Sequence, residues 1–154
     1  MKVRIEIDET LLEEEVIIKC QKIDSKVEEL SSFIADITKN KTKIIFYKDD
    51  KEYYLSLDII LFFDTDGNTI YAHTIDNTYR VKYRLYELEK ILPNNFLRIS
   101  KSSIVNINQV FSINYNFASS SLIEFYKSHK QVYASRAYAK QLRDRLGERR
   151  KYEN

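Results

Sequence analysis

Residues able to engage a polyanion recur at three places in the chain, each directly after an apolar stretch. Phe96-Leu97-Arg98-Ile99 runs into Ser100-Lys101-Ser102-Ser103, and Ile104-Val105 closes that segment. Hydroxyls and one ammonium on a rigid apolar base suit a phosphate-rich surface better than a catalytic cleft. Asp64-Thr65-Asp66-Gly67-Asn68-Thr69 follows the apolar run Ile59-Ile60-Leu61-Phe62-Phe63, and Ser135–Tyr138 follows Val132–Ala134. Lys101 and Arg136 suit guanine edges or phosphates, and Asn68 carries the amide able to make two bonds to adenine. Strands packed into one sheet system would gather these segments on one edge. On the residues alone a second reading stands beside this one: three ordinary polar surface loops.

Other chemistries find little support. His73 sits inside an alternating strand pattern and His129 in a polar turn, neither with a Cys, His or Asp at ligand spacing, so no metal site is expected. There is no G-x-S-x-G, P-loop or G-x-G-x-x-G, and two glycines cannot build a phosphate cradle. Cys20 ends an apolar strand and reads as a structural thiol. Asp64 and Asp66 flank one turn, where both Asp and Gly favour the bend. No catalytic residue, no cofactor and no small-molecule substrate is therefore expected.

The elements that must position the three segments come from a chain of 154 residues, enough for one domain, or for one domain with an added arm. Hydrophobic residues make up 44%, enough to bury a core. Twelve Tyr, eight Phe, two Gly and one Pro point to a compact strand-rich fold. No apolar run approaches a membrane span, and Met1–Glu6 lacks the apolar core of a signal peptide. With a single cysteine, these features lead us to expect a cytoplasmic protein. The formal net charge of +2 hides an asymmetry: residues 1–30 hold five Lys/Arg against nine Asp/Glu. The remainder is net basic, steeply so from Arg136 to Lys151, the kind of localised patch that nucleic-acid binders carry and that solvated helices also show.

Alternation at Val3, Ile5 and Ile7 predicts a strand, and Val16-Ile17-Ile18 a second. Ser25 and Glu28 have capping-box spacing, with Val27, Leu30, Phe33, Ile34 and Ile37 on one face, which predicts a helix over roughly 25–38. Lys39–Lys43 reads as a linker. The expected organisation is thus a β-β-α N-terminal arm over 1–41, a main domain over 42–148 and a basic tail over 149–154. In the main domain, Ile44–Tyr47 and Tyr53–Leu55 flank a hairpin turn, Ile59–Phe63 is a buried strand, and Asp66-Gly67 marks a second hairpin. Ile70–Ile75 and Tyr79–Lys82 form a further pair. Leu85, Leu88 and Leu92 line a short helix that Pro93 ends. Strands are expected at Phe96–Ile99, Val110–Tyr115, Leu122–Tyr126 and Val132–Ala134, and a last helix begins near Arg136 with Tyr138, Leu142 and Leu146 one turn apart.

Four motifs, in order, resemble one family. They are Ile59–Phe63 with Gly67-Asn68-Thr69, Leu85-Tyr86-Glu87-Leu88, the run Phe96–Asn106, and Val132–Leu142. Residues from about 43 to 146 are similar to a LytTR-type DNA-binding domain, and the arm is similar to that of short stand-alone LytTR regulators. The resemblance implies a mainly β fold with short helices (α+β), about ten strands in small antiparallel sheets. It implies a bacterial transcription regulator on double-stranded promoter DNA, its loops in successive major grooves, as a homodimer on paired repeats. Base-reading positions carry over to Asn68 and Thr69, to Lys101, and to Arg136 and Ala137. The full DNA-contacting set is Asn68, Thr69, Ser100, Lys101, Ser102, Ser103, Arg136, Tyr138 and Lys140. The family often has a basic residue where this chain has Ala137, and His where it has Ser100. An inhibitory membrane protein is a further partner implied by some stand-alone relatives, with the acidic arm as its handle or as a self-association element.

The alternatives are a protein-interaction or ligand-sensing β module, and an RNA binder using exposed Tyr. The basic tail separates sequence-reading from backbone contact. Removing residues 143–154 is expected to weaken duplex binding uniformly across sequences, measured as equal loss on several unrelated duplexes.

Overall fold

A computed structural model describes residues 2, 4–10, 15–39, 43–116 and 118–153, with side chains given for all of these except 36–39 and 148–153. The chain divides into two units, residues 1–38 and 39–154.

In the first unit, α1 spans Ser25–Lys39. Its leading cap is Asp24 rather than Ser25: the Asp24 carboxylate accepts the Val27 N–H at 3.0 Å and its carbonyl accepts Glu28 N–H at 3.0 Å. No strand occurs among the described residues before α1, so the two expected arm strands are not formed there. A strand needs a ladder partner for its N–H and C=O groups. The described residues here have none, and Ile5 and Ile7 are exposed. Val3 lies outside the described residues.

The second unit is built around the apolar run at Leu61–Phe63, which is buried on both sides. Ten strands follow one another: β1 Phe46–Lys48, β2 Lys51–Tyr53, β3 Phe62–Asp66, β4 Thr69–His73, β5 Thr78–Val81, β6 Phe96–Arg98, β7 Ser103–Asn106, β8 Val110–Asn114, β9 Ser121–Phe125 and β10 Gln131–Ala134. Between β5 and β6 lies α2, Leu85–Ile91, and after β10 comes α3, Arg136–Glu153. The first seven strands form one antiparallel sheet in the order β2-β1-β5-β4-β3-β7-β6, and the last three form a second in the order β10-β9-β8. Among the described residues the fold is therefore mainly antiparallel β with three helices.

Strand alternation sends neighbouring side chains to opposite faces, and β3 uses both. Phe63 joins Phe46, Ile70, Ala72, Tyr79, Val81 and Ile104 in a core closed by Leu85, Leu88 and Leu92 of the α2 segment. Phe62 joins Leu97, Val105, Ile123, Phe125, Val132, Ala134 and Leu142 in a second core, between the large sheet, the small sheet and α3. Phe62 stacks on Phe125 at 5.3 Å between ring centres. Burial on both faces explains why this stretch reads as continuous rather than alternating hydrophobicity.

Several boundaries shift from the sequence expectation for identifiable reasons. The strand expected at Ile59–Phe63 begins only at Phe62, because Leu57–Ile59 is a 3-10 turn whose Ser56 hydroxyl accepts Asp58 N–H. The first hairpin turns on Asp49 and Asp50 alone, both with positive φ (50° and 60°), as the primed two-residue turn requires. α3 continues through Glu153, so the backbone of 149–153 belongs to that helix.

Asn106, only 1% exposed, locks β7 to the entry of β3. Its amide donates to Ile60 O at 2.9 Å, its carbonyl oxygen accepts from Asn95 Nδ2 at 2.9 Å and from Asn108 N–H at 3.1 Å, and its own N–H reaches Leu61 O at 2.8 Å. Truncation removes the three side-chain bonds and leaves the buried Ile60 carbonyl without its donor. Asn106→Ala is therefore expected to lower the unfolding free energy by about 1–3 kcal/mol, read by urea denaturation.

Candidate nucleic-acid interface

The three polar segments meet through backbone hydrogen bonds. Thr65 N–H of β3 donates to Ser102 O in the knuckle between β6 and β7, at 2.9 Å. Ser135 N–H, just before α3, donates to Ile99 O at the other end of the knuckle, at 2.8 Å. Within the knuckle, Ile99 N–H closes on Ser103 O at 3.0 Å. The β3–β4 turn, the knuckle and the start of α3 are therefore one hydrogen-bonded edge rather than three independent loops.

Each segment holds its exposed residues by a different device. The β3–β4 turn is tighter than expected: Asp64–Asp66 stay in β3, Thr69 opens β4, and only Gly67 and Asn68 turn. Gly67 has φ +61°. Asp64 is thus a strand residue rather than a turn former. Its carboxylate lies 2.7 Å from His73 Nε2, and His73 Nδ1 lies 3.3 Å from Thr78 Oγ1. His73 also stacks on Phe62 at 4.2 Å, so the base of the hairpin is tied to the second core. Lys130 reaches across to Asn77 O at 2.6 Å. Burial holds the Lys130 ammonium below the usual lysine range, against the opposing pull of Asp76 and Asp64.

In the knuckle, Ser102 N–H donates to Ser100 Oγ at 3.1 Å, and the two hydroxyls are 3.3 Å apart. Arg98 reaches the same turn from β6: its Nε and Nη2 each donate at 2.6 Å, to Ser100 O and Lys101 O. In α3, buried Ala139 and Leu142 anchor the helix, leaving Arg136, Ala137 and Lys140 exposed. The helix start adds the positive end of its dipole to this edge.

The structure brings most of the expected contact residues to this edge, but not with equal reach. Asn68, Lys101, Ser102, Arg136 and Lys140 are exposed, and Thr69, Ser100 and Tyr138 are half-buried. Ser103 is 5% exposed and sits in β7, so its hydroxyl belongs to the interior and not to the surface. By residue type Ser103 reads as polar loop, whereas pairing with Asp64 of β3 draws it into the ladder. The side chains of Asn68, Lys101 and Arg136 make no hydrogen bond or ion pair with other described residues, whereas Arg143 lies over Tyr115 at 5.2 Å and Arg145 bonds Asn94 O. The basic face of α3 is therefore partly structural.

Two residues escaped sequence reasoning. Arg98 read as a strand position, with nothing in the spacing to show its bonds. Lys82 follows β5, where continuing the β4–β5 register places it opposite Thr69, and its ammonium sits 4.3 Å from the centre of the Tyr47 ring. Among the described residues there is no cluster of three His, Cys, Asp or Glu able to hold a metal, and no helix long and apolar enough to cross a membrane.

Comparison with known proteins gives this edge a context. The LytTr DNA-binding domain family matches residues 50–147. An uncharacterized HTH-type transcriptional regulator of Staphylococcus aureus strain NCTC 8325 / PS 47 is 31% identical over 147 residues, 95% of this chain and 98% of that protein. Its counterpart in strain MRSA252 is 30% identical over the same length. Among solved structures, a LytTr DNA-binding domain from a Bacillus cereus methyl-accepting/DNA response regulator superposes with a TM-score of 0.63 at 25% identity, covering 69% of this chain and 98% of that one. The chain belongs to the LytTR DNA-binding-domain family.

Gly67 tests the geometry of the turn without touching its neighbours, since a Cβ there would meet nothing within 4 Å. Gly67→Ala is expected to lower stability by about 1–2 kcal/mol from the left-handed backbone alone, measured by chemical denaturation.

Proposed function

We propose that this protein is a transcription regulator that reads double-stranded promoter DNA through the edge formed by the β3–β4 turn, the knuckle and the start of α3. One observation supports this most: three segments sewn together by backbone bonds present Asn68, Lys101 and Arg136 with side chains that no other described residue engages by a hydrogen bond or ion pair. Preorganised, unpaired donors are what a groove edge requires, because every donor already spent on the protein is lost to the base. Asn68 with Thr69, Lys101 and Arg136 read bases. Ser100, Ser102, Tyr138, Lys140 and Lys82 contact the phosphate–sugar backbone. Ala137 offers no polar group, so recognition beside Arg136 rests on that residue. Binding occurs as a homodimer on paired repeats. The acidic N-terminal unit serves a partner, either the second copy or an inhibitory membrane protein.

Duplexes from the genomic neighbourhood of the gene supply the test. The wild-type chain is expected to shift at least one of them at low salt, with affinity falling steeply as salt rises. Lys101→Ala with Arg136→Ala is expected to erase the preference for that duplex, each lost bidentate contact removing about 1–3 kcal/mol of discrimination. Lys82→Ala is expected to weaken all duplexes alike and to reduce the salt slope by about one. A double variant that still prefers the promoter duplex would refute the placement of the readers, and a wild type that shifts no duplex would refute DNA binding.

A further inference from the structure

We infer that Arg98 is the positioning residue of the knuckle, and that it sets sequence discrimination without itself touching DNA. The inference rests on the DNA reading above. In β6, Leu97 enters the second core, while Phe96 packs on the first core and Arg98 reaches Glu89 of α2. From that position Arg98 points along the turn it precedes. Nε takes Ser100 O and Nη2 takes Lys101 O, both at 2.6 Å, while Nη1 takes Glu89 Oε2 at 2.9 Å.

A guanidinium is planar and rigid, so three bonds from its fork fix three directions at once. Two consecutive carbonyls are turned toward the protein, and the Lys101 side chain is left exposed. Glu89 anchors the fork to α2, which is held in the first core by Leu85 and Leu88. The Arg98 side chain is only 18% exposed, and its charge is matched by Glu89. It is thus poorly placed to meet a phosphate and well placed to hold the residue that meets a base. A lysine cannot replace it, since one ammonium cannot span both carbonyls and the carboxylate in this fork geometry.

The test uses the full chain and two duplexes: the best one recovered by wild type from a random-sequence pool, and a scrambled one of equal length. Arg98→Ala is expected to lose roughly 5- to 100-fold of the preference for the selected duplex, while affinity for the scrambled one and its salt slope stay unchanged. Arg98→Lys should behave like the Ala variant, and Glu89→Gln, which keeps an oxygen acceptor, should stay near wild type. Independently of DNA, backbone 15N order parameters at Ser100–Ser102 should fall in Arg98→Ala while those of Phe96 and Val105 hold. Intact preference, full rescue by Lys, or unchanged order parameters in Arg98→Ala would overturn the inference. A salt slope lowered by about one would overturn it too, by making Arg98 a direct phosphate contact. If wild type selects no sequence but the Ala variant still loosens the knuckle, the DNA reading fails and the bracing by Arg98 stands.

Discussion

Everything in the DNA-binding unit depends on β3 being buried on both faces. Phe62 and Phe63 are adjacent in sequence yet belong to different cores, so the two sheets and two helices are organised around one strand. A shift of one residue in its register would exchange the two cores, which makes that register costly to change. The buried Asn106 adds direction to this, because its bonds to Ile60 and Leu61 specify one alignment where apolar packing alone tolerates several.

That rigidity is passed outward. β3 is bonded to the knuckle through Thr65 and Ser102, and the knuckle is bonded to the start of α3 through Ile99 and Ser135. Surface loops are usually the mobile parts of a domain. Here they are short extensions of core strands, so their geometry follows from the sheets. Relatives in Staphylococcus aureus are named HTH-type, but among the described residues no two helices are joined by a short turn: α1, α2 and α3 are separated by many residues and by strands. The β framework, rather than a helix pair, carries that surface edge.

Much of this was legible in the residues. Period-two patterns and turn residues located nearly every strand of the second unit, Leu85–Leu92 foretold α2, and the spacing after Arg136 foretold α3. Local signals succeeded where the element is satisfied locally, as in a helix face or a Gly-containing turn. They failed where satisfaction comes from afar. The N-terminal alternation at Ile5 and Ile7 has strand character but no ladder partner among the described residues, and alternation cannot create one. Ser103 reads as loop polarity, yet its pairing with Asp64, 39 positions earlier, places it in the interior.

By itself the sequence determined where most strands of the second unit lie, which residue types stand beyond them, and the family to which they belong. These are properties of neighbours along the chain, set by period, turn chemistry and side-chain type. Tertiary structure decided which of those residues are free to act. Arg98, Arg143 and Arg145 carry the same side chain as Arg136, but the fold spends the first on Ser100, Lys101 and Glu89 and turns Arg143 toward Tyr115 and Arg145 toward Asn94. Arg136 and Lys101 are left facing solvent. A cation's availability depends on what lies within about 3–4 Å of it in space, and that neighbourhood exists only once the sheets have paired.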